Sequence, residues 1–431
     1  MSEQLESEDV AAPQFDAFAT RRSSWRRRAQ QPDRVRAASR LTVTLCLVAG
    51  VTAGMQMGKA PLGLPSVRGE FHLGLDHAAW IISAFPLIGA VIGVVAGKTA
   101  QRLGSRRVLL AGLALLAAGG ALSALAPTYP PVLIGRMIEG LGFLAVTISA
   151  PSIIHADAHA ADRKLAMALW SACVPVGIAL TLLAGPFIIG PFGWRGLWLA
   201  GTCQVAAVLL MEACLLRGEP AGPRSPKRSA GTVHEVVALR QPLLFALVAG
   251  CYMFLFSMTA LLPVMFVDRF GLQLRAASNL VAPVILAGLA GGLAARWLSE
   301  RRVAPWLSII CCAAVMGGAG VGIFSAPLPL TIVFGLCLVF AICAGVLPAI
   351  AFDGAAASVP DLALVPVAMG MVMQASNVGV FVGPLVYGRI IHAGGWSAGA
   401  FPILQCVVIL AVAGLLLRSQ SAVDRRISQD A

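Results

Sequence analysis

Gly97-Lys-Thr-Ala-Gln-Arg102-Leu-Gly-Ser-Arg-Arg107 follows an apolar stretch, and Gly291-Gly-Leu-Ala-Ala-Arg296-Trp-Leu-Ser-Glu-Arg301 follows another. Aligned at an offset of 194, the two share Gly, Ala, Arg and Ser in register. A second pair of segments repeats at nearly the same spacing. Gly185-Pro-Phe-Ile-Ile-Gly190 matches Gly383-Pro-Leu-Val-Tyr-Gly388, and each is followed by Gly-Trp, at Gly193-Trp194 and Gly395-Trp396. Two matches at nearly one offset describe a chain whose halves are copies of one plan.

The material between these markers is membrane-spanning. Apolar runs of about 20 residues, the length that crosses a bilayer core, recur from Leu41 to Leu417. The 431 residues are 58% hydrophobic and 12% charged, with a mean hydropathy of +0.83. A soluble domain carries about twice that share of charge. Spans are expected near 41–66, 78–97, 107–126, 131–153, 164–190, 195–216, 242–266, 275–296, 303–325, 330–352, 363–391 and 396–418. The polar segment 218–241, rich in Pro, Gly, Ser and charge, reads as a linker between two membrane blocks, 41–217 and 242–418. The expected fold is an all-α membrane protein: twelve transmembrane helices in two pseudo-symmetric six-helix bundles.

Sidedness follows from the basic residues. Of the 32 Lys and Arg, 25 lie in the N-terminal segment, the C-terminal segment or loops on one side, or at that membrane edge. The positive-inside rule puts that side in the cytoplasm, with both termini. Residues 1–40, acidic and then arginine-rich, read as a disordered cytoplasmic tail resting on anionic lipid, and 419–431 as a second tail. The same distribution excludes nucleic-acid binding, since no basic face gathers on a soluble domain. All ten cysteines fall in apolar spans, where Cys acts as a small hydrophobe, and none has metal-ligand spacing. No cofactor or metal is expected. Gly93-Val-Val-Ala-Gly97-Lys98-Thr99 imitates a phosphate-binding loop, but only three residues separate its glycines where four are needed.

The loop from Gly97 to Leu109 resembles the cytoplasmic signature of the major facilitator superfamily, G-x-L-A-D-R-x-G-R-K-x-x-L. Gly97, Ala100, Arg102, Gly104, Arg106 and Leu109 match it. Gln101 stands where the family has Asp, and Thr99 where it has Leu. Arg136-Met-Ile-Glu139-Gly140-Leu-Gly142 resembles the family's R-x-x-Q-G-x-G, with Glu for Gln. The Gly185-Pro186 segment is similar in part to the antiporter signature G-P-x-x-G-G. Met55 to Pro65 and Gly193 to Trp198 resemble the cyanate-permease-like group, with Lys59 in place of its Arg. The resemblance implies alternating access between two halves, a monomer, and a solute path lined by the first, fourth, seventh and tenth helices. It also implies a cytoplasmic gate built on Gly97, Gln101, Arg102, Gly104 and Arg106.

Candidate residues inside spans are few. Lys59 is costly in lipid unless paired or facing water. It reads either as a cation for an anionic or polar substrate, or as an ammonium snorkelling to the interface. Arg136 and Glu139, three apart on one helix face, read as a proton-coupling pair or as a mutually neutralised one. Glu212, with no local partner, reads as a lipid-edge or interhelical group. Gln56, Gln374 and Asn377 reach either solute or neighbouring helices. Gly185-Pro186 and Gly383-Pro384 read as hinges or packing kinks. No catalytic cluster lies within a span, so an enzyme is not expected. The expected function is proton-coupled transport of a small polar or anionic solute across a bacterial-type inner membrane. The alternatives are a proton-coupled multidrug exporter and, outside transport, a membrane sensor.

Overall fold

A computed structural model describes the backbone of the chain apart from residues 1–13, 160–161, 217–235, 237–238, 325–326, 362–363 and 431, and apart from the side chains of 14–38, 94–102, 366 and 421–430. Among the described residues the regular structure is helical. Twelve helices are long and apolar enough to cross a membrane: α1 Ser39–Glu70, α2 Leu75–Gly93, α3 Ser105–Leu125, α4 Tyr129–Asp157, α5 Arg163–Ala184, α6 Pro186–Leu215, α7 Arg240–Phe270, α8 Leu274–Glu300, α9 Pro305–Phe324, α10 Leu330–Ala357, α11 Val367–Gly394 and α12 Trp396–Gln420. A helical backbone is what hydrocarbon demands, since it satisfies its own polar groups.

Helix packing repeats with a shift of six. Helix α1 packs on α5 as α7 does on α11, α2 on α4 as α8 on α10, and α3 on α6 as α9 on α12. The halves meet along α2–α11 and α5–α8, which the same shift interchanges. The internal repeat is therefore a repeat of packing. Its glycines show why. A Cβ on Gly140 of α4 would strike the Phe85 carbonyl of α2, and one on Gly345 of α10 would strike the Gly288 carbonyl of α8. Glycine lets these helix backbones touch, and such contact is how helices associate where lipid gives no hydrophobic drive. The paired Gly-Trp motifs also share a conformation. Gly193 and Gly395 have φ of 64° and 73°, which residues with a Cβ rarely adopt.

Several boundaries differ from the expected ones. The fifth span ends at Ala184, and Pro186 opens α6. Gly185-Pro186 is thus a junction between two helices, because proline at a first helical position loses no hydrogen bond. Gly383-Pro384 stays within α11. Even so, Gly185 abuts Leu62 of α1 and Gly383 abuts Ser257 of α7, so each Gly-Pro packs on the first helix of its own half. Helical backbone also extends from α1 back to Gln14 and from α12 on to Asp430, through segments the sequence reads as tails. Most of the linker, 218–241, lies outside the described residues.

Helix α7 is interrupted. Its α-helical turns stop at Phe256, a 3-10 turn runs from Ser257 to Leu261, and α-helix resumes at Leu262. The Ser257 and Thr259 hydroxyls donate to the carbonyls of Phe254 and Phe256 at 2.6 and 2.7 Å. Broken backbone at membrane depth is tolerated where it is buried in protein or lines a cavity.

Candidate functional site: a buried charge triad beside a central cavity

Lys59 and Glu139, read separately in the sequence, are partners. The Lys59 ammonium lies 2.5 Å from Glu139 Oε1, and Arg136 Nη1 lies 2.6 Å from Glu139 Oε2. Exposure of the three side chains is 2%, 0% and 1%, so water screens none of these contacts. The single carboxylate bridges two cations, with helix periodicity placing Arg136 and Glu139 on one face of α4.

The surroundings are built for the charges. Arg136 also donates from Nε to the Ile81 carbonyl and from Nη1 to the Gln56 carbonyl, both at 3.1 Å. Its guanidinium lies 4.3 Å from the centre of the Phe85 ring, and the Lys59 ammonium 5.3 Å from that of Trp198. Both are cation–π contacts, which strengthen as water is excluded. Two glycines leave room. A Cβ on Gly120 would come within 3.1 Å of Glu139 Oε1, and one on Gly201 within 3.1 Å of Lys59 Cδ. The triad is thus enclosed by α1, α2, α3, α4 and α6, all of the first half. Gly120, Gly201 and Phe85 went unnoticed in the sequence, and Trp198 was read only as the end of the Gly193 to Trp198 run, since glycines and aromatics inside spans are too common to signal a site.

Arg136 also reaches the interface between the halves. There a small cavity, of about 50 Å³, is lined by Met57, Pro61, Ile82, Phe85, Arg136, Ile178 and Leu182 of the first half. The second half contributes Met253, Phe256, Ser257, Thr259, Ala260, Ile285 and Val380. The wall is apolar except for Arg136 and the two hydroxyls at the break in α7. Lys59 is not part of this wall. It neither snorkels nor faces the cavity, because Glu139 holds it inside the half.

The remaining sequence candidates divide. Gln56 lies beside the triad, its amide donating to the Thr52 carbonyl at 3.3 Å while its Oε1 has no partner. Gln374 and Asn377 stand apart from the cavity. Gln374 donates to the Ala90 carbonyl across the α2–α11 seam at 3.0 Å, and Asn377 packs against Gly89. Of the gate residues, the side chains of Gly97, Gln101 and Arg102 lie outside the described residues. Gly104, at φ 89°, separates the helix of α2 from α3, and Arg106 follows on α3 with a buried Nε that has no partner. Glu212 is not at a lipid edge. It is fully buried, and neither carboxylate oxygen has a hydrogen-bond partner.

The halves are also tied where α1 and α7 end. Arg68 pairs with Asp268 at 3.4 Å, and Asp76 lies 3.9 Å from His392. At the same end Glu70 is held by Arg195 and by the Trp194 indole, which explains the Gly-Trp-Arg run of the first half.

Comparison with known proteins agrees with this architecture. The family model described as Major Facilitator Superfamily matches residues 45–363. This chain belongs to the major facilitator superfamily. Among curated relatives, it is 29% identical over 196 residues to the uncharacterized MFS-type transporter YwoD of Bacillus subtilis, covering 46% of this chain and 42% of that protein. It is 30% identical over 169 residues to the multidrug efflux pump LfrA of Mycolicibacterium smegmatis, covering 38% and 33%. It is 26% identical over 264 residues to the 3-(3-hydroxy-phenyl)propionate transporter of Escherichia coli, covering 56% and 62%. The chain therefore spans less than two thirds of each of these relatives. The fold matches a bacterial homologue of the human lysosomal transporter Spinster, solved inward-facing and occupied, with a TM-score of 0.72 at 17% identity over 89% of this chain and 97% of that one. As a superfamily member with twelve candidate spans, the protein is a multi-pass membrane protein. None of these relatives singles out the cyanate-permease-like group.

Proposed function

We propose that this superfamily member is a secondary active transporter that carries a small solute with a largely apolar body, by alternating access and with proton coupling. One observation carries the reading: the cavity lies between the halves, walled by residues of both, with the triad's Arg136 as its one charged residue. A site shared by two bundles is exposed to each side in turn as the bundles rock. The protein works as a monomer in a bacterial-type inner membrane, with both termini cytoplasmic, as the basic residues argue. Glu139, holding two cations at once, is the group at which a proton would exchange with an ion pair. Gly104 and Arg106 sit where the superfamily's gate signature falls, and Gln374 and Asn377 secure the seam that the rocking motion must open.

The test is a thermal-shift screen of the purified protein against organic acids, amino acids, sugars and cationic drugs, followed by counterflow of each stabilising solute in proteoliposomes. Filling the cavity with Ala260→Phe should abolish both stabilisation and counterflow. Counterflow that survives this substitution would remove the cavity from the transport path. Proton coupling predicts that adding solute to de-energised vesicles moves the external pH, and a flat pH trace would argue for a uniporter.

A second reading, multidrug export, is favoured by Met57, Met253, Phe85 and Phe256 on the wall, since flexible Met side chains and aromatics accommodate varied ligands. Stabilisation by several unrelated cationic drugs, and by no single solute class, would support it.

A further inference from the structure

The triad does not balance. With all three groups ionised, Lys59 and Arg136 bring two positive charges and Glu139 one negative, a formal excess of one positive charge within the membrane-spanning part of the first half. Unpaired charge at that depth is expensive. The other fully buried carboxylate described in this half, Glu212, lies three residues before the C-terminal end of α6 and has no hydrogen-bond partner. Glu70 is committed to Arg195 and Trp194. Among the described residues, no second carboxylate compensates the triad.

The excess charge has an outlet. A guanidinium carries five N–H groups. Arg136 uses Nε and Nη1 on Ile81, Gln56 and Glu139, and no acceptor is described for Nη2. Arg136 is also the only charged residue on the cavity wall. Donors with no described acceptor, on the residue that brings charge to the wall of an apolar, aromatic-lined space, match one kind of ligand.

Resting on the reading that the cavity is the solute site, we propose that the transported solute is an organic monoanion with an apolar or aromatic body, its carboxylate anchored on Arg136. The anion neutralises the triad as it enters, and its hydrocarbon part replaces water against Phe85, Met57, Met253 and Phe256. A cationic solute would meet like charge at the same point, and a neutral one would leave the excess charge in place. Ser257 and Thr259 donate their own hydrogens to backbone carbonyls, so their oxygens offer acceptor capacity and no competing anion donors. Arg136 therefore fixes where the charged end lies.

The test is a charge series on one body: 3-phenylpropanoate, 3-phenylpropanamide and 3-phenylpropylammonium, titrated against the purified full-length protein by calorimetry. Wild-type protein should bind the carboxylate at least about tenfold more tightly than the amide, and the ammonium most weakly. Arg136→Gln should remove the carboxylate's advantage and leave the amide unchanged. Should that variant fail to fold, the wild-type series decides alone. Equal binding of carboxylate and amide, tightest binding of the ammonium, or no binding of any of the three at millimolar concentration would overturn the proposal. Ala260→Phe separates the two readings. If it weakens all three ligands while charge makes no difference, the cavity stands and the anion preference falls. If it leaves a bound carboxylate unaffected, the cavity reading falls as well.

Discussion

Replacing Glu139 with glutamine keeps the side chain's size and one acceptor oxygen, yet removes the charge that Lys59 and Arg136 share. Two charge-assisted contacts, at 2.5 and 2.6 Å, are lost or weakened. Each belongs to a class worth about 1.5–3 kcal/mol. Removing one partner of a buried ion pair costs about 3–5 kcal/mol, because the charge left behind stays buried. Here two cations are left facing each other, so Glu139→Gln should destabilise the fold by about 3–5 kcal/mol. Lys59→Met should cost less, because Arg136 and Glu139 remain as a neutral pair. The double variant Lys59→Met/Glu139→Gln removes the repulsion between the cations as well. It should be more stable than the two single losses combined would give, by at least about 1.5 kcal/mol, well beyond the roughly 0.5 kcal/mol scatter of independent sites. The assay is a double-mutant cycle by reversible unfolding of the purified protein in mixed micelles. Additivity within that scatter, or a glutamine variant as stable as wild type, would refute the triad as a coupled electrostatic unit.

Three other outcomes follow from the packing and the ion pairs. Gly140→Ala puts a methyl group against the Phe85 carbonyl, so overpacking should cost about 1–3 kcal/mol and lower the thermal midpoint; an unchanged midpoint would show that α2 and α4 do not touch there. Glu212→Met replaces an unpartnered buried carboxyl with an apolar side chain of similar length, and should raise stability by about 1–3 kcal/mol at unchanged expression; destabilisation would mean that Glu212 has a partner in the folded protein. Asp268→Ala removes an ion pair that bridges the halves but is part-exposed, worth only about 0.2–1 kcal/mol. It should raise the labelling rate of Ala260→Cys in a background freed of native cysteines by no more than about fivefold, and the exchange Arg68→Asp/Asp268→Arg should restore it. A change of a hundredfold would make that pair the principal latch.

By itself, the amino-acid order determined the number of spans, the two-part repeat and the superfamily. These rest on properties that add up along the chain. Apolar length is set by bilayer thickness, and the Gly97 and Gly291 loops and the Gly-Trp motifs recur at fixed offsets because each half repeats the same packing. Lys59, Arg136 and Glu139 were also legible as residues that membrane depth makes expensive, and the pairing of the last two followed from helix periodicity. Tertiary structure alone decided the rest. Lys59 and Glu139 lie 80 positions apart on different helices, so no local spacing pairs them, and Lys59 read as a cavity or interface cation until Glu139 was found against it. Gln374 and Asn377 read as reaching either solute or neighbouring helices, because a span amide seeks any partner; the packing of α11 on α2 supplied Ala90 to Gln374 and set Asn377 against Gly89. Glu212 read as either an edge or an interhelical group because helix phase does not say which neighbour covers a face, and its burial decides for the second. The net positive charge beside the cavity, on which the solute's class depends, is a sum over three residues that only the fold brings together.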